Sequence, residues 1–499
     1  MTDSLDISNF PCHIINGQEI KSQSIAEPNR VESINPFSGE LLWLGEAASS
    51  ATVDAAVAAA RAAFPAWARL GFSERHALLT RFVELVKEEA ETLTRLIATE
   101  AGKPLWESKV EVNSLVTKLP ASVDAYNSRA AESSREVRGL RSRTRFRPQG
   151  VMAVLGPFNF PASMANGHIM PALLAGNTVV FKPSELTPLT GVAVSRIWQR
   201  AGLPPGVMNC VSGARQTGEY LVSHKDVNGV LLVGSHPAGL AILRKVVDAP
   251  EKVVALEMGG NSPLVIWDYD DIDPVVSIII QSAFMSGGQR CSAARRLLLR
   301  DDDTKVMPRL LEVLRSLKIG DFNLTPEPYY GPLIRASAAE RVDRRVKELV
   351  SGGADLILKP TRQGPIGTVV SPGLIGVDNC SNDLDEEIFG PVLKVHRYKE
   401  LDEAIALANQ TKFGLAAGIV CRSREVFEHF FDNASAGIVN WNQQLTGATT
   451  LAPFGGIKQS GNFRPAGFMS VDYCSYAIAS FEVETPKVPD PPVAGITFQ

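Results

Sequence analysis

Residues 284–293, Phe-Met-Ser-Gly-Gly-Gln-Arg-Cys-Ser-Ala, place a cysteine behind two glycines, a glutamine and an arginine. Gly287 and Gly288 reach backbone angles closed to other residues, so Cys291 reads as positioned rather than packed like a buried structural cysteine. A cysteine that attacks a carbonyl requires a thiolate, an oxyanion hole, a base for water and an acceptor for what leaves. Cys291 supplies the nucleophile, and Arg290 favours its thiolate only where the guanidinium points inward. Asn159, set between Phe158 and Phe160 with Pro157 and Pro161 restricting the backbone, is suited to aim an amide at a developing oxyanion. Glu257 follows the apolar residues 253–256 and precedes Gly259 and Gly260; partial desolvation there raises its pKa toward the range of a general base. A cysteine paired with histidine would need a histidine in a comparable context, and none of the seven has one.

If the leaving group is a hydride, the acceptor is a nicotinamide. No G-x-G-x-x-G follows any expected strand. The nearest element is Gly-Ser-His-Pro-Ala-Gly at 234–239, where Gly234 ends a strand, Ser235 follows and Gly239 opens a helix whose N-terminus can receive a pyrophosphate. Lys182 and Glu185 suit ribose hydroxyls, and the Glu185 carboxylate would repel a 2′-phosphate, which favours NAD over NADP. Phe158 and Ser184 join this expected cofactor set.

These groups must be held by something large. The chain has 499 residues, enough for two or three domains. After Pro148, short β-branched runs at 150–156, 177–182, 207–211, 227–233 and 252–257 alternate with helical stretches at 191–202 and 239–248. That alternation predicts a doubly wound parallel sheet. A second alternation after Cys291 predicts a second α/β unit, with helices near 337–352 and 424–434, and a cleft between the two beyond the carboxyl ends of their strands. Upstream, residues 51–70 and a pattern capped at Ser73 and running to Gly102 make the first hundred residues largely helical. Arg141, Arg143, Arg145 and Arg147 share one face of a strand, either a solvated edge or an anion or subunit contact. The proline-rich residues 485–492 read as an extended arm.

Composition limits the partners. Fifty Lys and Arg against 54 Asp and Glu give a net charge of -4, with no attraction for nucleic acid or an anionic membrane. No stretch approaches a membrane span, and the N-terminal ten residues lack the regions of a secretory leader, so a cytoplasmic location is expected. The six cysteines (Cys12, Cys210, Cys291, Cys380, Cys421 and Cys474) are scattered, which points to free thiols and to no metal site.

Taken together, these motifs resemble the aldehyde dehydrogenase superfamily, from Asn-Pro-Phe-Ser-Gly-Glu at 35–40 to Pro-Phe-Gly-Gly-Ile-Lys-Gln-Ser-Gly at 453–461. The resemblance implies two doubly wound α/β domains with a small β element that pairs between subunits of a homodimer or homotetramer. The corresponding boundaries are 1–133 with 151–256 for NAD binding, 257–470 for catalysis, and 134–150 with 471–499 for bridging. It implies that Glu387 contacts the nicotinamide-side ribose and Phe389 the nicotinamide region. It implies oxidation of a small aldehyde to an acid through Cys291, with Asn159 and the Cys291 backbone N–H holding the oxyanion and Glu257 activating water. Residues 166–178, 182–188, 440–448 and 460–465 further resemble the branch acting on the 5-semialdehyde of N-succinylglutamate in arginine catabolism. Phe463, His236 and Pro237 depart from that branch. Such a substrate carries two carboxylates, for which Arg464 is a candidate partner beside Asn442 in the substrate set; the alternative reading is that Arg464 only anchors its loop. Oxidation of another semialdehyde, such as that of glutamate or succinate, stays open, as does a non-catalytic relative on the same scaffold.

Overall fold

The computed structural model describes residues 10–21, 29–137, 140–381, 385–447, 449–488 and 493–497. The N-terminal run, except Phe10, and residues 489–492 of the proline-rich tail therefore lie outside the described residues.

The first sheet grows from the apolar runs found in the sequence. Its order is Val253–Glu257, Gly229–Val233, Val151–Leu155, Thr178–Lys182, Met208–Val211, His13–Ile15 and Gln18–Ile20. The first five strands are parallel, and the N-terminal hairpin adds antiparallel to Met208–Val211. The strands read as unbroken apolar runs because helices cover both faces. Successive residues nevertheless divide between two cores. Met152, Val154, Val179 and Phe181 pack with the helices Phe72–Glu88, Ser163–Ala175 and Pro188–Arg200. Val151, Ala153, Leu155 and Val180 pack with Ser50–Arg69 and His236–Val246. Strand order reverses between Val151–Leu155 and Gly229–Val233, which opens a crevice at their carboxyl ends.

The second sheet has the order Asp355–Leu358, Gly373–Gly376, Val392–Tyr398, Ala294–Arg300, Ser262–Ile266, Ala416–Val420 and Ile438–Trp441. Only the pairing of Asp355–Leu358 with Gly373–Gly376 is antiparallel. A three-stranded antiparallel sheet is made of Ser475–Glu482, Leu140–Pro148 and Ser133–Val137.

Three expectations are corrected, and one helix went unread. The first hundred residues are largely helical only from Ser50 on, and upstream, among the described residues, four short strands end at Glu46. Ser73 lies inside its helix; Gly71 is the cap, and its N–H donates to Glu74 at 2.9 Å. The arginine strand Leu140–Pro148 is central in its sheet rather than an edge, and Arg143 and Arg145 face Glu132 and Glu482. Finally, the 25-residue helix Leu105–Arg129 escapes a reading by apolar periodicity. Pro120 interrupts its pattern, and its buried face, besides Val112, Leu115, Leu119, Ala121 and Ala125, carries Glu107, Glu111, Lys118 and Ser122 at helical spacing where a core face is normally apolar.

Candidate active site

Helix Ile272–Phe284 ends just before the nucleophile loop, and the turn requires positive φ at Ser286 (56°), Gly287 (61°) and Gly288 (72°). A Cβ on Gly288 would fall 2.1 Å from the Gly390 carbonyl oxygen, so only glycine lets the loop pack there. Gln289 then fixes the loop: its side chain donates to the Ser286 carbonyl at 3.1 Å and accepts from the Ile334 N–H at 3.0 Å. Its own carbonyl accepts from Asn159 Nδ2 at 2.8 Å, which brings the oxyanion candidate against the cysteine loop. The second hydrogen of that amide is left for another acceptor.

Arg290 does not point at the thiol. Its guanidinium donates to Glu107 at 2.7 Å, to Ser286 Oγ at 2.9 Å and to the Thr446 carbonyl at 3.0 Å. Ser286 also donates to Glu107, which holds this non-glycine residue in its left-handed conformation. Burial pushes the Glu107 carboxyl up, but Arg290 and Lys103 outweigh it and hold it below the usual carboxylate range. One helical turn on, Glu111 accepts from Lys103 at 2.7 Å and from the N–H groups of Ala162 and Ser163 at 2.9 and 3.1 Å. Phe160 lies under both cations. The helix Leu105–Arg129 thus ties the Asn159 loop and the Cys291 loop to one support.

Glu257 ends its strand with Oε1 accepting from the Ala466 N–H at 3.0 Å and Oε2 buried without a partner. Burial raises its pKa well above the ordinary carboxylate value, and the Ala466 bond offsets only part of that. Across the site Glu387 accepts from the Gly260 N–H and from Arg295, each at 3.4 Å. Gly259 permits this approach, since a Cβ there would meet Glu387 Oε2 at 1.9 Å. Burial, with Glu387 and Glu257 nearby, pushes the Cys291 thiol up to about 12, against help from the Ser292 N–H and Arg295. Cys291 keeps some surface toward the cavity. Arg295, not Arg290, is therefore the cation that acts on the thiol.

The crevice of the first sheet continues into this site as one cavity of about 1390 Å³ lined by Phe158, Asn159, Lys182, Ser184, Glu185, Gly234, Ser235, Glu257, Cys291, Glu387 and Phe389. The Lys182 ammonium donates to the Pro183 and Gly213 carbonyls at 2.9 and 2.8 Å, and Glu185 stands 3.8 Å away, half-exposed. Ser184 Oγ accepts from the Leu186 N–H at 3.2 Å. Ser235 caps the helix His236–Val246. Gly239 sits in the first turn instead of opening the helix, and a Cβ there would fall 2.4 Å from Met258 Sδ. Phe158 and Phe389 meet edge to face at 5.9 Å. The cleft lies beyond the carboxyl ends of the first sheet but at the amino ends of the second, where Cys291 precedes Ala294–Arg300 and Phe389 precedes Val392–Tyr398.

Two expected substrate residues are not brought here. Arg464 is exposed and off the cavity wall, and its loop is anchored by Asn462, which bonds the Leu256 N–H and Val254 carbonyl at 3.0 and 2.8 Å. Asn442, at φ 52°, spends its amide on the backbone of Cys421. The sequence reading missed Arg295, Glu107 and Glu111. Charges recurring at the core spacing of a helix were the signal for the last two.

Comparison with known proteins identifies the family. The pattern of the aldehyde dehydrogenase family covers residues 23–477. An N-succinylglutamate 5-semialdehyde dehydrogenase of Escherichia coli is 46% identical over 486 residues, spanning 97% of this chain and 98% of its own. The betaine aldehyde dehydrogenase of Staphylococcus aureus, solved with NAD+, superposes with a TM-score of 0.90 at 25% identity over 98% of each chain. An aldehyde dehydrogenase of Physcomitrella patens, solved with its reaction product succinate, superposes at 0.88 and 25% identity over 95% of this chain and 98% of its own.

Proposed function

This chain belongs to the aldehyde dehydrogenase family, and from that premise we propose that it oxidises N-succinyl-L-glutamate 5-semialdehyde to N-succinyl-L-glutamate with NAD. The observation that carries the reading is the convergence of Cys291, Asn159, Glu257 and Glu387 on one cavity. The residues fit a nicotinamide dinucleotide. The N-terminus of His236–Val246 would receive the pyrophosphate, Lys182 and Glu185 a ribose, and Glu387 with Phe389 the nicotinamide end. When bound, the cofactor accepts the hydride.

The chain's own residues do the rest. Cys291, as thiolate, attacks the aldehyde carbon and forms a thiohemiacetal, while the Asn159 amide and the Cys291 backbone N–H hold its oxyanion. After oxidation to the thioester, the free lone pairs of Glu257 Oε2 take a proton from water, and the hydroxide released attacks the thioester carbon. The acid leaves and the thiol returns.

A panel of aldehydes assayed with NAD and NADP tests this reading. The succinylated semialdehyde should show the highest kcat/KM, and NAD should exceed NADP by about tenfold to a hundredfold because Glu185 meets the 2′-phosphate in a half-exposed setting. Equal rates with both cofactors would mean that Glu185 does not face the ribose.

We further assign the two large sheets to a cofactor unit and a catalytic unit, and the three-stranded sheet to the contact between copies of the chain. That sheet exposes Val137, Leu140, Tyr476 and Phe481, the last at 66%. Sedimentation equilibrium should give a dimer or tetramer, and a monomer would refute the assignment.

A further inference from the structure

The lower end of the charged stripe on Leu105–Arg129 has no role in the chemistry above. Lys118 is 4% exposed, and its residue lines the cavity together with Ser114, Met164, Gly167, His168 and Gly467. Its ammonium makes a long hydrogen bond, 3.3 Å, to the Gly467 carbonyl, and among the described residues no carboxylate forms an ion pair with it. The other two cations on this stripe and loop are engaged, Lys103 with Glu111 and Arg290 with Glu107. Burial lowers Lys118 to about 8, so it remains largely charged at neutral pH. A buried, uncompensated ammonium is costly unless something returns the lost solvation.

A second polar group beside it is also unsatisfied. His168 lies on the helix Ser163–Ala175, its Nδ1 2.9 Å from the Tyr473 hydroxyl, and its Nε2 is buried with no partner. Burial and the Lys118 charge hold the ring neutral. In the tautomer that accepts the Tyr473 hydroxyl at Nδ1, Nε2 carries the proton and is a donor. The wall therefore offers one positive charge with spare N–H groups, backed by one buried neutral N–H, a set that matches a single carboxylate.

We propose that Lys118, assisted by His168, receives a carboxylate of the aldehyde substrate. This rests on the reading of the substrate as a dicarboxylate, whose charges the largely apolar wall would otherwise desolvate without compensation. It assigns to a lysine inside the cavity the recognition that the exposed Arg464 does not supply.

The test must separate recognition from support, because Lys118 also touches Gly467, whose neighbour Ala466 binds Glu257. Lys118→Gln keeps a donor for the Gly467 carbonyl and removes the charge; Lys118→Arg keeps a charge. In the full chain with NAD, kcat/KM is measured for N-succinyl-L-glutamate 5-semialdehyde and for hexanal, and binding of N-succinyl-L-glutamate is followed by calorimetry. Lys118→Gln should lower the ratio of the two kcat/KM values by about tenfold to a hundredfold, mostly through KM, with product binding weakened to match. Lys118→Arg should recover part of the loss. An unchanged ratio, or an equal fall for both aldehydes, would make Lys118 a prop for the loop and overturn the proposal. Should the wild type itself fail to prefer the dicarboxylic substrate over hexanal, the substrate reading falls first and this site with it.

Discussion

Cys291→Ala should lower aldehyde oxidation by at least about 10⁴-fold, because no other group can form the thiohemiacetal from which hydride departs. Reduced cofactor should still bind to the variant, as followed by its fluorescence, since the residues assigned to it sit on the first sheet and around Glu387. The loop should keep its shape. Its geometry is set by Gly288 against Gly390, by Gln289 and by the Glu107–Arg290 pair, and none of these uses the thiol. Turnover within tenfold of wild type would remove Cys291 from the mechanism. The wild-type thiol supplies a second measurement. Without cofactor it is held protonated by burial and by the neighbouring carboxylates, so its alkylation by iodoacetamide should accelerate as pH rises through the alkaline range. A plateau reached below pH 8 would mean that the thiolate is stabilised by something other than Arg295 and the Ser292 N–H.

Glu257→Gln should separate the two halves of the reaction. The amide is nearly isosteric, so acylation and hydride loss proceed and about one equivalent of reduced cofactor forms per subunit. The steady state then slows by about 10²- to 10⁴-fold, the usual worth of a general base. The sign of the pH effect follows from the raised pKa: the acid form, which cannot accept a proton, prevails at low pH, and deacylation should quicken as pH rises through the elevated value. In Glu257→Gln that rising limb should vanish. A normal steady state, or a retained limb, would assign water activation to Glu387, the other buried carboxylate near the thiol.

The sequence by itself determined the five parallel strands of the first sheet and marked the candidate chemistry. The runs at 150–156, 177–182, 207–211, 227–233 and 252–257 are strands because β-branched residues buried on both sides leave little alternative, and local signals of that kind survive folding. Cys291, Asn159 and Glu257 were legible for a related reason: each sits where a strand or helix gives way to glycine or proline, and that punctuation is written locally. Tertiary structure decided which charges serve those groups. Arg290, adjacent to the nucleophile in sequence, turns to Glu107 across 183 residues, while Arg295 takes its expected place beside the thiol. Arg464 looked suited to an anion but ends exposed, because Asn462 anchors its loop and turns the arginine away from the cavity. Lys118 was passed over because a lysine within a helix ordinarily faces water; only the packing of Leu105–Arg129 against the Asn159 and Cys291 loops turns its charged stripe inward. Which partner a long charged side chain meets depends on contacts between residues far apart in the chain, and neighbours in sequence carry no record of them.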